Sequence, residues 1–323
     1  MEERIVVEGP GPTARDLVTG QAKSLPESQA AQAGPRAGAA SVDSGIFGPS
    51  SVTWHLHADP AMWIGGISAL HLQALHPVTA LGIAQNSSYE QDPGRRLRET
   101  GRFIVATTWG TTVQAEQAGA RIRAVHARMR IRDSHGVERR LDDPDLLLWV
   151  HCSLVRSNLH AVRRAGFAVR ADQADRYVLE QRRTADLVGL PALDAPGSVA
   201  DLEDYLAGMR GALAACTEAR SIHRFLLEPP LHGSRRTLTP AWGAASRLAY
   251  SILPGWARDL YGRAGWPEGL STAVLRAARR TALAVPWRAR LAFPEPLLEQ
   301  AVARLGPGSL PSRRLPAQPQ QGR

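Results

Sequence analysis

The sequence of 323 residues has very little lysine and cysteine. Lys23 is its only lysine, so the formal net charge of +9 comes from arginine. A basic surface can attract nucleic acid, anionic lipid or acidic metabolites. The two basic runs, "RRLR" at 95–98 and "RAARR" at 276–280, are short and typical of helix faces, so we expect no specific nucleic-acid partner. Cys152 and Cys216 are too few for a disulfide framework or a cysteine zinc site.

Long hydrophobic runs are also missing. No stretch reaches the roughly 18 apolar residues of a membrane span, and the first residues have no apolar core of signal-peptide length behind a basic start. We therefore expect a cytoplasmic protein with no transmembrane segment. The segments 1–46 and 306–323 are rich in small and polar residues, proline and glycine, which predicts disorder because they bury little apolar surface.

The remaining residues, 47–305, show helical periodicity and few alternating strand patterns. Asp59-Pro60, Asp92-Pro93 and Asp143-Pro144 each place a capping carboxylate before a proline that fits the first helical position. The predicted helices cover approximately 60–76, 92–110, 111–132, 142–157, 172–188, 199–219, 240–251, 268–284 and 294–304. The sequence thus predicts an all-α fold with a single large helical domain.

Two histidines lie on predicted helix faces that are otherwise apolar. His126 falls on the stripe formed by Ile122 and Met129, and His151 lies one turn after Leu147 on the next helix. Each could be a core histidine whose ring nitrogens are satisfied by hydrogen bonds. Each could also be a ligand that faces a pocket. Neither helix carries the His-x-x-x-His pair of a zinc hydrolase.

Arginines flank the first of these histidines on both sides. Arg121, Arg123, Arg128 and Arg130 surround His126. A haem needs an imidazole from a helix, an apolar slot and cations for its propionates, and this segment supplies these residue types. The alternative is that the arginines form a solvated helix face. A separate cluster, His55-x-His57-x-Asp59, resembles a metal site but also fits a cap at the mouth of a helix.

A polar constellation lies upstream in "DPGRRLRETGRF". Arg96, Glu99 and Thr100 share one helical face at spacings of three and four residues. These groups could bind a polar ligand, or position dioxygen and a proton. On spacing alone, an ion pair beside a threonine that bonds to its own helix is an equal alternative.

Three segments in order are similar to the MpaB-like oxygenases, a family that includes the bacterial latex-clearing proteins, or rubber oxygenases. They are "LHPVTALGIAQNSSYEQDPGRRLRETGRFIVATTWGT", "RIRAVHARMR" and "DDPDLLLWVHCSLV". The segments "RYVLEQRRTADLVGLP", "SVADLEDYLAGM" and "LLEPPL" extend the likeness over about residues 50–290.

This resemblance implies an all-helical, distantly globin-like core that holds haem b. It places the axial ligand of the iron on His126, with His151 as second choice. The Arg-x-x-Lys-Thr motif of the latex-clearing members falls on Arg96, Glu99 and Thr100, so a carboxylate stands where those enzymes have a distal lysine.

The resemblance therefore implies a haem-dependent oxidoreductase, an oxygenase that uses O2 on an apolar small-molecule or lipid-like substrate. Arg96 and Thr100 would act on the distal side, and Arg123 and Arg130 would hold the propionates.

A rival interpretation is a non-catalytic helical protein that binds an apolar ligand or makes a peripheral contact with an anionic membrane. The segment "AWGAASRLAYSILPGWARDLYGRAGW" at 241–266 mixes aromatic residues with arginines, which suits a lipid interface. It equally suits the packing of a C-terminal helix pair.

Overall fold

Helices form nearly all of the regular structure. The computed structural model describes residues 42–86, 93–132, 136–229, 237 and 239–316, without the side chains of residues 93–97. The described residues are 68% helical, which confirms the all-α prediction. The helices are α1 (Val52–Leu56), α2 (Ala61–Gln73), α3 (Pro77–Asn86), α4 (Pro93–Trp109), α5 (Thr112–His126), α6 (Pro144–Arg164), α7 (Ala171–Leu187), α8 (Val199–Met209), α9 (Thr217–Leu227), α10 (Thr239–Ser251), α11 (Gly255–Tyr261), α12 (Glu268–Ala284), α13 (Trp287–Arg290) and α14 (Leu297–Leu305).

Aspartate side chains bond to backbone N–H groups at two of the three helix starts predicted from Asp-Pro pairs, and the third, Asp92, lies outside the described residues. The Asp143 carboxylate accepts a hydrogen bond from the Asp145 backbone N–H, and Pro144 occupies the first turn of α6. At the start of α2, Asp59 accepts from the Ala61 backbone N–H at 3.0 Å. These bonds satisfy backbone N–H groups that have no partner inside the helix.

The observed helices differ from the predicted ones in several places: α6 extends to Arg164, α1, α3, α11 and α13 lie outside the predicted ranges, and two predicted helices end or divide elsewhere. The helix predicted over 111–132 ends at His126, because Arg130–Arg132 instead forms strand β1, antiparallel to β2 (Glu138–Arg140). Asn86 donates to the Arg130 carbonyl at 2.9 Å, so α3 helps to hold this strand. The helix predicted over 199–219 is two helices, α8 and α9, with no helix over residues 213–216.

The chain segments beside the predicted domain boundaries pack on the helical body. Asp43 accepts from the backbone N–H and the hydroxyl of Thr112, at 2.8 Å each, and so caps α5. Residues 306–316, assigned above to the C-terminal tail, also pack on the body. The Trp54 indole donates to the Ser309 carbonyl at 2.8 Å, and Ser312 donates to His55 Nδ1 at 2.9 Å. Residues 1–41 and 317–323 lie outside the described residues.

The core is centred on α2 and α6, which pack along one another. Its largest fully buried side chains include Trp149 on α6, whose indole donates to the Gln73 carbonyl at 3.1 Å. In the described part of the chain, no single helix has the length and apolar character of a membrane span. The pair of α2 and α3 meets that requirement jointly, with a bend of 106° between them.

Candidate functional site

Helices α4 and α5 form a hairpin. The positions of Arg96, Glu99 and Thr100 on α4 lie at the end of this hairpin where α5 terminates in His126. Only Gly110 and Thr111 separate the two helices, which pack together. Because both helices rise about 1.5 Å per residue, the first turns of α4 lie beside the last turns of α5. Glu99 and Thr100 are exposed at this end. Arg96 lies on α4, but its side chain is outside the described residues.

His126 is the last residue of α5 and is half-buried. The apolar stripe that carries it is buried at Ala118, which is 5% exposed, but it opens toward the helix end, where Val125 is 49% exposed. The sequence predicts His126 in the middle of an inward-facing stripe. The structure instead places it at the margin of the core, half-buried and with its Nδ1 atom buried.

His151 lies two turns into α6 and is 9% exposed. Burial lowers its pKa to about 4, so the imidazole is neutral at neutral pH. A neutral imidazole can ligate a metal or accept a hydrogen bond. The neighbouring Cys152 is buried, and burial raises the pKa of its thiol to about 12, which makes the thiol unreactive.

The C-terminal end of α7 connects the two histidine-bearing helices. On one side, the Arg123 guanidinium of α5 donates to the Leu187 carbonyl at 2.6 Å. On the other side, Leu147 of α6 packs in one cluster with Ala185 and Leu190. His126 and His151, each within four residues of these contacts, therefore come to the same end of the helical body.

The two arginines predicted to hold propionates both bind backbone carbonyls. Arg123 is exposed and is held by Leu187, as described above. Arg130 donates through Nη1 to the carbonyls of Ala127 at 2.8 Å and Met129 at 2.9 Å. These bonds fasten the turn that follows His126, a positioning role that the sequence analysis did not predict.

The cluster of His55, His57 and Asp59 does not converge on one point. His55 donates from Nε2 to the Pro49 carbonyl, while His57 bonds to the hydroxyls of Thr108 at 2.8 Å and Tyr177 at 3.2 Å. Asp59 pairs with Arg279 at 2.7 Å. Within the described ranges, no three His, Cys, Asp or Glu side chains form a group that could hold a metal ion.

A second histidine pair lies in the core. His71 of α2 and His223 of α9 approach with their Nδ1 atoms 3.2 Å apart, and the His71 Nε2 atom is 3.2 Å from the Ser246 hydroxyl. The Tyr261 ring stacks on His223 with ring centroids 4.7 Å apart. Burial lowers the pKa of both histidines, that of His223 to about 4. Each lies on an apolar helix face, the same signal that singles out His126, but nothing local in the sequence indicates that they meet.

The aromatic residues of segment 241–266 serve packing. Tyr250 and Tyr261 are 5% and 1% exposed, and the Trp242 indole donates to the Leu226 carbonyl at 2.8 Å. This arrangement favours the packing alternative for this segment over a lipid interface.

Comparison with known proteins decides the family. The family described as "ER-bound oxygenase mpaB/B'/Rubber oxygenase, catalytic domain" matches residues 54–287. The chain belongs to this family. The match runs from α1 to the start of α13 and includes the α4–α5 hairpin, His126 and His151. No curated protein and no solved structure shows significant similarity to the chain. The family is one of oxygenase catalytic domains, so an oxygenase reaction with O2 is consistent with membership.

Proposed function

We propose that this member of the mpaB/rubber oxygenase family is a haem b-dependent oxygenase that acts on an apolar small-molecule or lipid-like substrate, and that His126 would hold the iron of the haem. The proposal rests on one observation, which is that the first turns of α4 lie at the same end of the α4–α5 hairpin as the last turn of α5. There the Arg96, Glu99 and Thr100 positions lie on the helix that packs beside the one ending in His126.

The residues at this end fit a haem. His126 is half-buried at a helix terminus, and His151 is a buried neutral imidazole on a neighbouring helix. Ile122, half-buried on α5, and Leu147, buried on α6, supply apolar surface. Haem, when bound, supplies the oxygen chemistry, and the protein contributes binding, orientation and exclusion of water.

Each predicted residue has a distinct task in this proposal. His126 would hold the iron through one ring nitrogen, and the hydrogen bonds of Arg130 hold the turn that follows His126. Thr100 is exposed on the adjoining helix, where its hydroxyl can donate a hydrogen bond to a bound ligand. Arg96 and Arg123 supply positive charge for anionic groups, and Arg123 would share its guanidinium with the Leu187 carbonyl.

His151 has one of two roles, and both use a neutral ring. It would either accept a hydrogen bond from a ligand in the site through a ring nitrogen or hold the iron in place of His126. Its pKa of about 4 excludes a role as a proton-donating imidazolium at neutral pH.

Absorption spectra of the protein supplied with hemin test the proposal. We expect a Soret band that is lost or strongly shifted in His126→Ala. The matched control is His160→Ala, which removes a half-buried histidine nine residues beyond His151 on α6. Loss of the band in His151→Ala alone would reassign the axial ligand. A wild-type protein that binds no haem would overturn the proposal.

A second comparison addresses the carboxylate of Glu99. Glu99→Lys creates the Arg-x-x-Lys-Thr motif of the latex-clearing enzymes, and we expect it to change the spectrum of the haem-loaded protein. Glu116→Lys makes the same charge change at an exposed position in the first half of α5 and should leave the spectrum unchanged. Equal spectra for both variants would place Glu99 outside the site.

A further inference from the structure

An exposed aromatic pair lies beside the first turns of α2. Trp63 and Phe293 are 41% and 45% exposed, and their ring centroids are 5.9 Å apart. The two rings therefore form an exposed apolar surface, and such surfaces on soluble domains serve interactions. We call Trp63 and Phe293 the aromatic patch.

The aromatic patch is held against α4. A Cβ atom on Gly101 would lie 3.1 Å from Pro294, so the absence of a side chain at Gly101 allows the Phe293–Pro294 segment to pack there. Next to it, Arg102 pairs with Glu295 at 3.0 Å. The patch therefore has a fixed position next to Glu99 and Thr100.

The segment that leads to Phe293 is rich in arginine, and the Glu295 carboxylate that follows it is paired with Arg102. Residues 269–294 contain five arginines and no aspartate or glutamate. Arg279 is held by Asp59 and Arg288 by Glu299. Arg276 and Arg280 are exposed on α12, and no carboxylate of a described residue forms an ion pair with either of them.

We propose that the aromatic patch and the adjoining arginines of α12 dock this protein on the surface of an anionic membrane. Tryptophan and phenylalanine partition into the boundary between headgroups and acyl chains, while arginine attracts anionic headgroups. Duplex nucleic acid would pair with Arg276 and Arg280 but offers no apolar layer to the rings of Trp63 and Phe293, so a lipid surface is the better complement. Docking there brings the exposed end of α4 next to the lipid.

Vesicle co-sedimentation tests this proposal on the full chain without added haem. We expect binding to phosphatidylcholine vesicles that contain phosphatidylserine, weaker binding to phosphatidylcholine alone, and release in high salt. Arg280→Gln should weaken the partition coefficient about fivefold, the effect of roughly 1 kcal/mol for one arginine near the surface. Trp63→Ala and Phe293→Ala should weaken it at least as much.

Two control variants separate docking from general effects of composition. Leu193→Ala removes an apolar side chain that is 83% exposed outside the patch, and Arg224→Gln removes an exposed arginine of α9. Both should bind vesicles like the wild type.

Three outcomes would overturn the proposal. The first is a wild-type protein that does not bind the anionic vesicles, and the second is binding that the controls reduce as much as Trp63→Ala does. The third is a dimer, seen by analytical ultracentrifugation, that Trp63→Ala dissociates, because the patch would then be covered by a second copy. None of these results depends on haem, so failure here leaves the proposed function standing, and the converse also holds.

Discussion

The Nδ1 atoms of His71 and His223 lie 3.2 Å apart in the core, between α2 and α9. Burial lowers the pKa of both imidazoles, so both rings are neutral at neutral pH, and because one Nδ1 must donate and the other accept, they have opposite tautomers. The Tyr261 ring stacks on His223, and the Tyr261 hydroxyl donates a hydrogen bond to the His71 carbonyl at 2.7 Å. A proton added to either imidazole would place a charge among these rings.

We expect acid to destabilise the protein through this pair. The folded-state pKa of each histidine lies below the unfolded value near 6.5, that of His223 at about 4. The unfolded state then binds more protons, so the free energy of unfolding is largest above about pH 6.5 and falls as the pH drops toward about 4. Urea titrations at several pH values measure this slope. His223→Phe should make it shallower, and a flat profile between neutral pH and pH 5 would contradict the expectation.

The buried ion pair of Asp59 and Arg279 gives a prediction about stability. The two side chains are 2% and 12% exposed, so Arg279→Met leaves a buried carboxylate without its charged partner. We expect a loss of about 3–5 kcal/mol in the free energy of unfolding. Arg280→Met, at the exposed next position, should change it by less than about 0.5 kcal/mol. Equal effects of the two substitutions in urea unfolding would show that the pair contributes little.

Two glycines in helices should respond to alanine with opposite signs. A Cβ on Gly119 would lie 2.5 Å from the Leu187 carbonyl oxygen, so Gly119→Ala must push α5 from α7 and should cost about 1–3 kcal/mol. A methyl group at Gly208 in α8 would meet no other atom within 4 Å, so Gly208→Ala should stabilise by about 0.5–1 kcal/mol. Thermal unfolding measures both. A stabilising Gly119→Ala would mean that the helices tolerate wider spacing.

The Glu180 side chain of α7 caps the N-terminus of α1, although the two lie about 128 positions apart in the sequence. Its carboxylate accepts from the backbone N–H groups of Val52 at 3.0 Å and Thr53 at 2.8 Å, and it pairs with Arg176. Glu180→Gln should lower the free energy of unfolding by about 1–3 kcal/mol, because an amide cannot accept all these bonds. Glu203→Gln, at a side chain that is 54% exposed, should have almost no effect in the same urea titration.

Local chemistry explains what the sequence could predict of the fold. The Asp143-Pro144 pair fixes the start of α6 through bonds within a few residues, so its signal is complete in the sequence. The end of α5 is different, because the bond from Asn86 to the Arg130 carbonyl joins residues 44 positions apart. A helical apolar pattern that continues to Met129 cannot reveal that competing contact, and the predicted helix is therefore too long.

The same distinction applies to the site. The spacing of Arg96, Glu99 and Thr100 is local, and a two-residue turn is enough to bring that helix to His126. The pairing of His71 with His223 spans 152 residues and depends on how four helices pack. Burial is equally non-local, which is why the sequence analysis could not distinguish the buried His151 from the half-buried His126.

The bond from the Trp54 indole to the Ser309 carbonyl joins residues 255 positions apart, and Arg304 donates to the Asp43 carbonyl at 2.9 Å across a similar separation. During synthesis on a ribosome, the N-terminal helices emerge long before these partners exist. Until then the Trp54 indole is exposed to water, and intermediates with exposed apolar surface are prone to aggregate. The fold is therefore completed only once residues 304–309 have emerged, so the earliest helices to be made are among the last to be buried.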